Sequence, residues 1–442
     1  MLRRILTLSL LALVASGGSA GAQTFSARRM AMGGVILAGG GVGSSGANVA
    51  YRAVPKAPQS GWTLSLPIGL IPLLADPPEL DPDSPDFNIY ELANLVYNPP
   101  WNLQLGAPDA PGNDITMTIG RDHLSVDLGD LKDVFPENES RIAAVVNGPG
   151  LGFGVKRFFL AVAPLVHYEN EISFNDALLG AIDGEELRAN TSYTMLNHGY
   201  GQAAVGVHLG WAAPLVQTGD PRDKGMGFYA GARVKLMRGL AYASMDNSAS
   251  CVTTEEILGT EPVNINYLGH YYEAGPDGGG FGRGLDLGAV WMAGGAEVGL
   301  GVNDIGTTFD WRVEETIAYD DGGSGTGDVV EQVIGRDEPL TSKVPTTAVA
   351  NAATHIGSFL VAGDVVRSVF ATTAHLGAET RLSRTLAVRA GTCLDANQLI
   401  QYSVGAGLRF GSIGVDLAVA SNSRNLSLER GLELGAGLAF YH

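Results

Sequence analysis

The sequence predicts an all-β fold, a transmembrane antiparallel β-barrel of about 14 strands. Three observations predict it. Apolar residues recur with a period of two over most of the chain. The positions between them carry glycine or charge rather than Thr, Ser and Lys. Short turns alternate with long polar links.

Residues 1–22 read as an export signal. Arg3 and Arg4 form a basic start, Ile5 to Val14 an apolar run, and Ala20-Gly21-Ala22 a small-residue cleavage site before Gln23. The run is too short to cross a bilayer as a helix. No cysteine lies near the cleavage site, so a lipid anchor is not expected. Residues 23–60 follow as a glycine-rich, basic segment too irregular for a strand pair, and read as a plug or strap inside the lumen. The barrel is expected over 61–442. It carries an insert at about 72–140 that is rich in Pro and Asp. Within the insert, Ile89, Leu92, Leu95 and Val96 fall at helical spacing over Phe87 to Tyr97. Ile115 to Leu131 alternates weakly.

The barrel strands are read from alternation. Ala203, Val205, Val207, Leu209 and Trp211 form one apolar set, and Phe228 through Leu236 another. Leu285 to Trp291, Ala374 to Leu382, Tyr402 to Phe410, Ile413 to Val419 and Leu432 to Phe440 continue the pattern. Side chains alternate across a strand, so each run has one apolar face and one face of glycine and charge. The small or ionic face suits a crowded barrel interior. Trp211, Tyr402, Phe410 and Phe440 near strand ends suit an interfacial aromatic girdle. A secreted β-sandwich is the other fold with this period.

Tight turns are expected at Gly294-Gly295, Leu382 to Thr385 and Phe410 to Gly414. Long loops are expected at 245–284, 305–344, 392–400 and 421–430. Following the parity to the end puts His442 on the periplasmic side, where barrels keep both termini.

Composition narrows the function classes. Glycine is 61 of 442 residues with no period of three, which excludes collagen. Acids outnumber bases by 46 to 28, and the first acid is Asp76. The first 75 residues carry six bases, leaving 22 bases against 46 acids in the remainder, or −24. Such a surface does not suit nucleic acid, whose phosphates need clustered Lys and Arg.

Catalytic and metal motifs are absent. Gly41 to Gly46 matches GxGxxG, but Leu66 stands where a dinucleotide site needs an acid. There is no GxSxG element, no Walker loop and no zinc spacing. Gly322 to Asp328 is one copy of a calcium-like repeat, and one copy builds no site. Acidic loops around Asp81, Asp183 and Asp320 read as solvated. No enzyme activity, cofactor or metal is expected.

The candidate site is therefore the inner face. Its expected lumen-facing groups are His208, Arg233, Lys235, Asp286, Glu297, His375, Glu379, Arg381, Arg389, Arg409, Asp416 and Glu433. Buried charges must pair or line water. Arg28, Arg29, Arg52 and Lys56 of the plug are expected against inward acids such as Asp416 and Glu433. The two cysteines, Cys251 and Cys393, both fall in loops on one side. A disulfide between them is chemically allowed there.

The stretch Ala27-Arg28-Arg29-Met30-Ala31-Met32-Gly33-Gly34-Val35 resembles the mature start of FadL-like outer-membrane proteins. It is closest to the branch labelled conjugal-transfer TraF-like, related to the PorV type. Val302-Asn303-Asp304-Ile305-Gly306-Thr307-Thr308-Phe309-Asp310-Trp311 is similar to that branch's mid-barrel segment. So is the region from His375-Leu376-Gly377-Ala378-Glu379 to Gly405-Ala406-Gly407-Leu408-Arg409-Phe410. The resemblance implies an outer-membrane channel for small, hydrophobic molecules. Its PorV-like side implies instead a non-conducting barrel that docks other envelope proteins. The implied partners are the lipid bilayer and either a small hydrophobic solute or an envelope protein.

Overall fold

The structure, a computed structural model, describes residues 26–35, 46–55, 61–79, 102–105, 116–119, 124–127, 139–147, 151–182, 184–255, 263–320, 329–369, 371–394, 400–421 and 431–441, with the single residues 84, 88 and 91. The expected signal peptide, Lys56, Asp81, Asp183, the Gly322 to Asp328 run and nearly all of the Phe87 to Tyr97 patch lie outside the described residues.

Eighteen strands form one antiparallel sheet. Four pairs of them share a position around the wall, which leaves fourteen positions. β1 (Gly61–Leu66) and β2 (Leu103–Leu105) both pair with β20 (Leu432–Tyr441). β5 (Glu139–Asn147) and β6 (Leu151–Val155) both pair with β7 (Phe158–Phe174). β8 (Ser192–Thr218) joins β7 to β9 (Met226–Thr253). β10 (Val263–Ala274) and β11 (Phe281–Ala293) lie end to end between β9 and β12 (Ala296–Asp320). β13 (Val329–Lys343) and β14 (Thr347–Ile356) likewise share the far edge of β12. β15 (Phe359–Arg367), β16 (Thr372–Arg381), β17 (Leu386–Leu394), β18 (Ile400–Phe410) and β19 (Ile413–Ser421) then run as a meander to β20. β3 (Thr116–Ile119) and β4 (Leu124–Asp127) form a separate hairpin.

Apolar side chains cover the outer face. Val207, Leu209, Val234, Leu236, Leu287, Leu300, Val365, Leu376, Val404 and Leu417 are all exposed. A continuous apolar belt on the outside of a sheet whose backbone bonds are met by its neighbours is the arrangement a bilayer requires. A sandwich would bury this face against a second sheet. Phe158, Phe228, Trp291, Phe359 and Phe410 are exposed near the end where the turns are short. That end also holds the start of β1 and the finish of β20. No helix among the described residues is long and apolar enough to cross a membrane.

The wall is uneven in height. β14 to β20 are 9 to 11 residues long, the length of one tilted membrane crossing. β8 and β9 have 27 and 28 residues, or about 90 Å of strand at roughly 3.3 Å per residue. They rise well past the belt, with β10, β12 and β13 beside them.

This corrects two of the expected loops. Most of 245–284 is strand in β9, β10 and β11, and most of 305–344 is strand in β12 and β13. Beyond the lipid belt a strand has no uniformly apolar face, so Asn, Ser, Thr and Tyr conceal its period. Cys251 is therefore a strand residue, paired with Tyr193 and Ile265. Cys393 is also in a strand, opposite His375.

Candidate functional site

The described N-terminal residues lie against the inner face, and glycine makes room for them. The first piece is α1 (Ala27–Met30) with the turn that follows it. Ala27, Met30, Ala31, Met32 and Val35 are buried. Gly377 and Gly391 are cross-strand partners, and Gly391 is opposite Ser403. A Cβ at Gly377 would run into Met32, one at Gly391 into Met32 and Gly33, and one at Gly405 into Ala31. Gly435 faces Met30 in the same way. Gly33 N donates to Ser403 Oγ at 2.9 Å. Gly33 and Gly34 have φ of 74° and 83°, a left-handed backbone that only glycine adopts freely.

The second piece is a 3-10 turn, Val49–Arg52, capped by Asn48. It lies on a row of three glycines, Gly231, Gly288 and Gly301, that are successive partners across β9, β11 and β12. Asn48 enters this slot. Its Nδ2 donates to Ala289 O at 3.1 Å and Leu300 O at 3.0 Å, and its Oδ1 accepts from Ala50 N at 3.0 Å. Asn303 Nδ2 donates to Ala47 O at 2.7 Å. Tyr51 donates to Glu297 at 3.3 Å and accepts from Asn351 Nδ2 at 2.6 Å. Arg222 donates to Pro55 O.

Charged groups of the inner face form two buried networks. In the first, Arg28 donates to both carboxylate oxygens of Glu379 at 2.8 and 3.0 Å. Glu379 also accepts from Arg389 Nε at 2.6 Å, and Arg389 reaches Asp416 at 2.6 Å. In the second, Asp286 binds Arg233 at 2.5 Å and Lys235 at 3.0 Å, and Lys235 also binds Asp304 at 2.8 Å. Asp304 N donates to Asp286 and Thr307 donates to Asp304. His208 is buried next to these cations with no hydrogen-bond partner on Nε2.

The other expected inner-face residues divide. Glu433 is buried and accepts from Asn102 at 3.4 Å. His375 pairs with Asp364 at 2.6 Å. Arg381 is exposed at the turn end of β16, and Arg409 donates to Gly411 O at the neighbouring turn; both sit where the last residues of a strand project past the wall. Of the N-terminal cations, Arg28 meets Glu379 rather than Asp416. Arg29 is partly buried within electrostatic reach of Asp364, and Arg52 lies 4.0 Å over the Phe159 ring.

The disulfide is not formed, and both cysteines are free. β9 has one extra residue opposite Ala203–Ala204, which switches its faces. Cys251 consequently shares the outer face with Tyr193, while Cys393 shares the inner face with His375.

Sequence reasoning missed the buried apolar cluster on the loop side of the second network. Leu165, Met237, Tyr242, Phe309, Trp311, Val313 and Val344 pack together, with Tyr200, Tyr272 and Leu340 against them. Trp311 stacks on Phe309 at 5.7 Å and lies 5.4 Å from Tyr242. Its few polar groups are fixed: Trp311 Nε1 donates to Ser342, which binds Gln202, and Gln202 reaches His167 at 3.1 Å. The available signal was Phe309 and Trp311, two large aromatics at a spacing of two on the inner face of a strand.

No protein-family model matches the chain, and no curated protein matches it. Among solved structures it is similar to the Pseudomonas putida toluene transporter TodX. Identity there is 10%, over 70% of this chain and 90% of that one, with a TM-score of 0.28. A mutant of the Rh. blastica porin is similar at 12% identity, over 68% of this chain and 100% of that one, with a TM-score of 0.23. The barrel itself rests on the strand pairing and the apolar belt.

Proposed function

We propose that the protein is an outer-membrane channel for small apolar molecules, closed in this state by its own N-terminal segment. The supporting observation is the match between inner-face glycines and residues 26–35 and 46–55. Two glycine-bearing rows leave space that a wall side chain would otherwise take, and the segment fills it with side chains and hydrogen bonds. Above the second network the inner face is packed with buried apolar side chains, Phe309 and Trp311 among them, so a solute that displaces them is favoured when it is apolar over an ion or sugar. The name of TodX, a toluene transporter, agrees with this reading but does not carry it.

Planar-bilayer recording tests the proposal. Full-length protein should give rare, small steps that an apolar aromatic solute reduces, and Gly377→Leu should raise the open fraction. Silence from both proteins, with correct heat-modifiability on gels, would overturn conduction. It would favour the docking reading, to which the tall β8–β13 wall is suited.

A further inference from the structure

Asp364, His375 and Cys393 stand in one row on the inner face. Asp364 is opposite His375 across β15 and β16, and His375 is opposite Cys393 across β16 and β17. His375 Nδ1 lies 2.6 Å from Asp364 Oδ1, and Cys393 is the direct cross-strand neighbour of the same ring. The Asp364 side chain is completely buried, while His375 retains 11% exposure and Cys393 7%.

This order of groups has a chemical meaning. A carboxylate that accepts from Nδ1–H fixes the imidazole tautomer and leaves Nε2 as the base. Cys393 neighbours His375 from the strand on the side opposite Asp364. Nucleophile, base and orienting group are thus arranged as in thiol catalysis. The charge networks of the lumen do not use Cys393. Among the described residues no His, Cys, Asp and Glu group could hold a metal ion, so metal ligation does not account for the row.

The surroundings select the reagent. Gly34 covers the ring with backbone alone, since a Cβ there would lie 3.2 Å from His375 Cδ2. The neighbouring surface is Met32, Val35, Ala353 and Ala362, all buried and apolar, with Leu360 against them. An ionic reagent gains nothing from this lining.

We propose that Cys393 is a covalent modification site, a thiol activated by His375 and Asp364 toward small apolar α,β-unsaturated carbonyl compounds. Cys393 Sγ bonds to the β-carbon as its proton passes to His375 Nε2. The C=C pair moves toward the carbonyl and gives an enolate. His375 then returns the proton to the α-carbon, leaving a neutral thioether. The addition is redox-neutral and has no leaving group.

N-Ethylmaleimide is the probe. Full-length protein in detergent is alkylated over a time course, digested, and the adducts at Cys393 and Cys251 are quantified from the same molecules. Cys393 should react faster than Cys251 by about tenfold or more, the scale of general-base assistance. The two rates should become equal after boiling in SDS. His375→Gln should slow Cys393 by about tenfold or more and leave Cys251 unchanged; Cys251 thereby reports that the variant is folded. Asp364→Asn should slow it as well. A native Cys393 rate equal to or below that of Cys251 would overturn the proposal without recourse to any variant. So would a Cys393 rate that His375→Gln leaves untouched in folded protein.

Discussion

Arg28 and Glu379 are 351 positions apart and share two hydrogen bonds, at 2.8 and 3.0 Å. Glu379 passes that contact through Arg389 to Asp416, so one N-terminal arginine is tied to three strands. Arg28→Ala should cost about 1–3 kcal/mol of segment docking, the range for hydrogen bonds to charged groups. Glu379→Gln should cost more, because it also weakens Arg389. Denaturant unfolding in a double-mutant cycle checks this, and additive effects would contradict the geometry.

Side-chain bulk on the glycine rows should release the segment without destroying the barrel. Gly391→Val forces an overlap with Met32 and Gly33, and overpacking of this kind costs about 1–3 kcal/mol. Gly46 has no heavy atom within 4 Å of an added Cβ, so Gly46→Ala should be silent. Uptake of a large antibiotic compares the two variants.

Leu417 is exposed on the outer face within the belt, and Gln332 is exposed on the tall wall. Arginine at Leu417 should destabilise the barrel by about 2–4 kcal/mol if the position is at the bilayer midplane. Arginine at Gln332 should have almost no effect. Urea unfolding from lipid vesicles measures both, and equal tolerance would mean the belt is misplaced.

The buried aromatic cluster gives a further test. Trp311→Ala empties a large space between Phe309 and Tyr242 and removes one of the two hydrogen bonds of Ser342. Step conductance should rise, and block by an apolar aromatic solute should weaken. An unchanged block would move the solute path away from this cluster.

Both thiols should be free. Alkylation in denaturant without reductant should add two labels per chain, and a peptide linking Cys251 to Cys393 should not be found.

The lipid-crossing strands were legible because each must keep one face apolar. Leu432 to Phe440 and Ile413 to Val419 show this period in full, and both are strands at nearly those bounds. The wall above the membrane was illegible for the same reason in reverse. Met245, Asn247, Ala249 and Cys251 share one face of β9 yet have no common polarity. The inner face was read as glycine and charge, but sequence could not show that Gly231, Gly288 and Gly301 form one row. That depends on strand register, and the Leu240 bulge shifts register in a way no local pattern records. The row of Asp364, His375 and Cys393 was hidden likewise, on three strands read separately.

The partners of the N-terminal segment also bear on biogenesis. The N-terminal residues around Arg28 and Met32, made early, dock on β16 to β20, which are made last. Closing a long loop costs only about 0.6 kcal/mol per doubling of length, so the separation weakens the finished protein little. It does set an order of events, because Arg28 and Met32 have nothing to rest on until β16 to β18 have paired. During insertion the segment is therefore exposed to envelope proteases, and its protection from cleavage is a clock for completion of the wall.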